Sequence, residues 1–191
     1  QVFSQEQSEI FLIKGHKAFN KSYFDSALYY YDKAQMICDP DNHQKIAEII
    51  SSKGIVYEDM GSYQDALYHY QNTLKLYQKI ENNSGISDAL NQIGNIYYRW
   101  SDFENAIKYY QQGLEIRKKL NDNYGVPSSL NNIGNIYYSW KKLDKALEYY
   151  EQALEIKESQ NDESELTSYI INTGSANLSL ENYEEAQKYY S

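Results

Sequence analysis

The clearest recurring chemistry in the 191-residue chain is a set of four asparagines, Asn91 and Asn95, then Asn131 and Asn135. A spacing of four puts the members of each pair one turn apart on one helical face. Leu90, Ile93 and Tyr97 fall on another face, the one expected to pack inward, so the asparagines are expected to form a polar surface. A carboxamide both donates and accepts hydrogen bonds. It therefore suits the unpaired N–H and C=O groups of an extended peptide, whatever that peptide's side chains are.

Other reactive residue types do not converge. The histidines, His16, His43 and His69, have no recurring partner at metal-ligand spacing. Cys38 with His43 comes nearest, and it reads as a half-buried thiol at a helix end beside a first-turn histidine. Asp144 with Glu148, Glu184 with Glu185, and Glu163 with Glu165 lie among lysines on outer faces, where solvated pairing is the expectation. The repeated Gly-Asn-Ile-Tyr-Tyr is expected mid-helix, where backbone N–H groups are already used and no phosphate can be cradled. Sequons at Asn20, Asn82 and Asn177 read as chance, two of them inside expected helices. Neither enzyme activity nor a metal or cofactor is expected.

Charge narrows the partners. Lys plus Arg number 18 against 27 Asp plus Glu, a net charge of -9, so the surplus needed to neutralise phosphates is missing. Nucleic acid and anionic membrane are poor matches. The apolar run Ile10 to Ile13 is far short of the roughly 18 to 20 residues that cross a bilayer. One cysteine fits a reducing cytoplasm, whereas Gln1 read as a terminus left after signal removal would fit the bacterial periplasm.

The elements that position these residues follow from 41% hydrophobic content with only 2 Pro and 9 Gly, which favours long helices. Tyrosine, at 22 residues, needs a repeating place in the architecture. An offset of forty supplies it: Gly94-Asn95-Ile96-Tyr97-Tyr98 falls on Gly134-Asn135-Ile136-Tyr137-Tyr138, Trp100 on Trp140, Ala106 on Ala146, and Tyr109-Tyr110 on Tyr149-Tyr150. The frame extends back through Gly54 and Tyr70, then with a one-residue slip to Gly15 and Tyr31, and forward to Gly174 and Tyr190. It predicts units at 8–46, 47–86, 87–126, 127–166 and a shortened 167–191, within a single array over 1–191. In each unit two apolar stripes at helical spacing predict a helical hairpin. Gly94 and Ala106 are expected where the two helices cross, and the polar joints between units, such as Asp41-Asn42, Asn82-Asn83 and Asn121-Asp122, are expected to cap the next helix. Ser191 falls inside an expected second helix, so the chain is expected to continue.

Leu90, Ile93-Gly94, Tyr97, Ala106, Tyr110 and Gly113 stand in the order and spacing of the tetratricopeptide repeats, which the whole chain resembles. Its units are longer than the family's usual period of about 34 residues. They are similar to the long variant of Pins/LGN-type adaptors, kinesin light chain and bacterial sensor proteins. HEAT and armadillo repeats share a period near forty but do not place Gly and Ala twelve residues apart. The resemblance implies an all-α, right-handed superhelical solenoid of antiparallel hairpins, whose first helices line a concave groove. It implies a groove lined by Asn91, Asn95, Tyr98, Arg99, Asn131, Asn135 and Tyr138, made acidic in its first half by Glu9, Glu48, Glu58, Asp59 and Asp88. Ser168, Ile171, Ser175, Leu178 and Ser179 would line its last part. The expected role is a protein-interaction scaffold that binds an extended, net-basic peptide. The alternative is a sensory or regulatory region of a larger bacterial signalling protein.

Overall fold

The computed structural model describes residues 2–160 and 166–191, with side chains from Glu6 onward. Glu163 and Glu165, read above as a carboxylate cluster, lie outside the described residues. The described chain is all helical: α1 (Val2–Phe19), α2 (Phe24–Ile37), α3 (His43–Asp59), α4 (Tyr63–Lys79), α5 (Asn83–Arg99), α6 (Phe103–Lys119), α7 (Gly125–Ser139), α8 (Leu143–Ser159), α9 (Leu166–Ser179) and α10 (Tyr183–Tyr190).

Short turns join the two helices of each hairpin, too short for any but antiparallel neighbours. Each turn carries one residue in the left-handed region, Ser22, Gly61, Ser101, Lys141 and Glu181, with φ between 59° and 76°. Gly61 alone among these adopts it without a Cβ penalty. In the α5–α6 turn, Ser101 N–H donates to the Tyr98 carbonyl and Asp102 N–H to the Tyr97 carbonyl, both at 2.9 Å, satisfying the last carbonyls of α5. The joints between hairpins cap the following helix as the sequence suggests. The side-chain oxygens of Asn42, Asn82 and Asp122 accept from the N–H of Lys45, Gly85 and Gly125 at 3.0, 2.9 and 2.8 Å. Of the three sequons, only Asn177 lies in a helix, where it is buried, while Asn20 and Asn82 lie in turns.

The helices form two compact units, Gln1–Ile96 and Tyr97–Ser191. In the first, Leu12, Ala27, Tyr31, Ile49 and Val56 cluster, and Ala47, Tyr77 and Ala89 form a further core. In the second, Tyr110, Ile133, Ile136, Ala146, Tyr150 and Leu154 belong to one continuous core.

One steric device recurs in both units. A glycine of the first helix lies under a tyrosine ring of the second helix sixteen residues later. A methyl group on Gly54 would come within 2.5 Å of the Tyr70 ring, and one on Gly134 within 2.6 Å of Tyr150. Gly15 with Tyr31 and Gly174 with Tyr190 repeat the contact. The absent Cβ lets the ring lie flat against the backbone, and the ring carries its hydroxyl through to the far side of the first helix. That hydroxyl builds the polar face.

Candidate peptide-binding face

In the second unit the Tyr150 hydroxyl donates to Asn135 Oδ1 at 2.8 Å. Asn172 Nδ2 donates to Asn131 Oδ1 at 2.9 Å, and the hydroxyl pairs Tyr98 with Ser139 and Tyr138 with Ser179 meet at 2.8 and 2.9 Å. Each of these last three pairs is separated by forty-one residues, one repeat plus one, so each ties a first helix to the next one. Tyr98, Asn135, Tyr138, Ser139, Tyr150, Asn172 and Ser175 line a recess of ≈ 340 Å³ with no charged group in its lining. Burial pushes the Tyr150 phenol well above the usual tyrosine range, so it stays a donor. With its oxygen taken by Tyr150, Asn135 has its amide nitrogen left to offer. Asn172, its nitrogen given to Asn131, has its carbonyl oxygen left.

The first unit uses the same frame with different chemistry. There the Tyr70 hydroxyl donates to Glu58 Oε2 at 2.8 Å, and burial together with that carboxylate drives its pKa far upward. Lys45 Nζ lies 2.9 Å from both Glu9 and Glu48. Burial opposes both charged forms, yet the contacts hold the Lys45 ammonium above, and the Glu48 carboxyl below, their ordinary ranges. Gln92 Nε2 donates to Ser51 Oγ at 3.1 Å, the same forty-one-residue link made by Asn131 and Asn172.

Against known families, a model described as tetratricopeptide repeat matches residues 45–119, 86–159 and 125–191. The chain belongs to the tetratricopeptide repeat family. Among solved structures it is similar to BtubC (BKLC) from P. vanneervenii at 22% identity and a TM-score of 0.87, over 98% of this chain and 78% of that one. It is similar to a Rap protein complexed with competence and sporulation factor at 19% identity, TM-score 0.79, over 96% and 52% of the two chains. The Rap conjugation regulator of plasmid pLS20, in complex with the Phr* peptide, aligns at 17% identity, TM-score 0.74, over 94% and 50%. These likenesses are of fold, and the chain spans about half the length of the two Rap proteins. Curated protein sequences give no match.

On this tetratricopeptide frame the residues singled out from sequence take unequal positions. Tyr98, Asn135 and Tyr138 come together in the recess, with Asn131 bonded to its lining residue Asn172. Asn95 is half-buried, while Asn91 is only 9% exposed, so the ladder is not uniformly outward as its spacing suggests. Glu58 is engaged by Tyr70, and Arg99, Asp59 and Asp88 are exposed. Sequence reasoning missed Ser139, Tyr150 and Asn172. The Gly-to-Tyr spacing of sixteen was a usable signal for Tyr150, and the position of Asn172 forty residues after Asn132 for the third. Among the described residues, no group of three or more His, Cys, Asp or Glu is placed to hold a metal. Nor is any described helix long and apolar enough to cross a membrane. Burial raises the Cys38 thiol pKa, which keeps it in its less reactive protonated form.

Proposed function

We propose that this chain is a non-catalytic protein-interaction module that holds an extended segment of a partner protein against its first-helix faces. The observation that carries this reading is the pair of carboxamides bordering the recess, Asn135 with a nitrogen to give and Asn172 with an oxygen. One donor and one acceptor complement the C=O and N–H of a peptide unit. The Rap proteins of similar fold, complexed with a peptide and with competence and sporulation factor, support the same reading. In the second unit the contacting residues are Tyr98, Arg99, Asn131, Asn135 and Tyr138. In the first they are Asn95, Glu58, Asp59 and Asp88, and the three carboxylates, with the net charge of -9, favour a net-basic partner.

A peptide-array screen with wild type and an Asn135→Ala/Asn172→Ala double variant tests the reading. Two polar groups left without partners cost about 1 to 3 kcal/mol each, so affinity for the selected peptides is expected to fall tenfold or more. Unchanged affinity in a folded double variant would remove the recess from the binding face.

A further inference from the structure

The turns α5–α6 and α7–α8 carry the same three aromatic residues at equivalent positions: Tyr97, Tyr98 and Trp100 in one, Tyr137, Tyr138 and Trp140 in the other. In the α7–α8 turn each ring has its own cation. Lys142 Nζ lies 3.1 Å from the Trp140 ring centre, Lys145 Nζ 5.4 Å from Tyr137, and Lys141 Nζ 5.9 Å from Tyr138. Trp140 is further held by stacking on Tyr137, with centroids 6.4 Å apart and planes at 9°. This turn is saturated from within.

In the α5–α6 turn all three lysines are replaced. Forty residues before Lys141, Lys142 and Lys145 stand Ser101, Asp102 and Asn105. Asp102 turns inward to cap α6, its two oxygens accepting from the Asn105 backbone N–H at 3.2 Å and its side-chain amide at 2.7 Å. Its short side chain covers no ring. Trp100 stands edge-on to Tyr97, at 5.8 Å and 84°, and is 41% exposed. Among the described residues no ammonium or guanidinium lies over Tyr97, Tyr98 or Trp100. Asp102 and Glu104 add negative charge beside the rings, and Arg99 is the one basic residue between Tyr97 and Glu104.

We propose that the α5–α6 turn is a docking point for an arginine or lysine side chain of a partner protein, seated on the Trp100 ring beside Asp102. The internal template is Lys142 on Trp140, which shows that the same backbone turn accepts a cation over the indole. An aromatic face attracts a cation through its quadrupole, and the neighbouring carboxylate adds a salt-sensitive attraction. The inference does not depend on the carboxamide recess, since neither Trp100 nor Asp102 lines it.

The two tryptophans give two indole N–H signals in a nitrogen–proton correlation spectrum, assigned with Trp100→Phe. Titration with an oligo-arginine peptide is expected to move the Trp100 signal saturably and leave Trp140 in place, with a neutral Gly-Ser peptide moving neither. Asp102→Lys rebuilds the self-saturated turn and keeps a residue type that the equivalent cap, Lys142, already tolerates. It is expected to weaken the Trp100 response about tenfold or more. Asp102→Asn retains a capping side chain and is expected to weaken it by about threefold. An unmoved Trp100 signal, equal movement of both signals, or an undiminished response in Asp102→Lys would each overturn the proposal. The Asn135→Ala/Asn172→Ala variant should leave this titration unchanged, which separates the two sites.

Discussion

Tyr70 in the first unit and Tyr150 in the second each follow a glycine under their ring by sixteen residues, and one meets a carboxylate, the other a carboxamide. Tyr70 donates to Glu58, and Tyr150 donates to Asn135. The packing beneath is the same, because a ring pressed against a bare backbone has one solution in volume. The hydroxyl emerges at the edge of that packing, where several acceptors satisfy it. One steric frame can thus present an acidic face in one unit and a neutral donor-acceptor face in the other. The acceptor that meets the tyrosine changes while the packing beneath it does not.

The frame itself should be the costliest part to disturb. Gly134→Leu forces the Tyr150 ring off α7 and is expected to lower stability by about 3 kcal/mol, near the upper end for overpacking. Asn131→Ala, which removes one partly buried amide pair, should cost about 1 kcal/mol. Urea melts of both variants check this, and equal losses would mean that the Gly-Tyr contact is not what holds the hairpin.

A smaller effect should separate the two units. Tyr70→Phe removes a hydrogen bond to a charged acceptor and is expected to cost about 2 kcal/mol, against about 1 kcal/mol for Tyr150→Phe, whose acceptor is neutral. If the two losses are alike, the carboxylate of Glu58 adds nothing to the neutral arrangement. The two arrangements would then be equivalent in stability.

The smallest effect concerns the outer stacks. Tyr57 stacks on His69 at 5.1 Å in the first unit, where the second has Tyr137 on Tyr149 at 5.4 Å. Burial, with the Lys53 ammonium, holds the His69 imidazole below its ordinary range, against the opposing pull of Asp65 and Asp32. The unfolded chain then takes up this proton more readily than the folded one. Its stability contribution is complete above the ordinary histidine value of about 6.5 and is lost as pH falls below it. Thermal melts of wild type between pH 7.5 and 5 should fall more steeply than those of His69→Phe. Identical slopes would place the acid sensitivity elsewhere.

The hairpins, their turns and the capping asparagines were legible in the residues, because helical spacing, a forty-residue offset and Asx chemistry are local or periodic signals. Gly134 was legible as a place where no larger side chain fits, and the group that lies against it is the Tyr150 ring. The face of Asn91 was not legible. Spacing of four sets two residues on one stripe, but how far neighbouring helices cover that stripe depends on packing between elements distant in the chain. Asn135 and Asn172 carry the same point further. A carboxamide has two ends, and which end remains for a partner is decided by where Tyr150 and Asn131 lie in space. Likewise Trp100 and Trp140 are one residue type at one repeat position. Only the fold shows that Lys142 reaches over its indole while Asp102 turns away to cap α6. Order along the chain sets which groups are available; hydrogen-bond direction and ring exposure arise where separate helices meet.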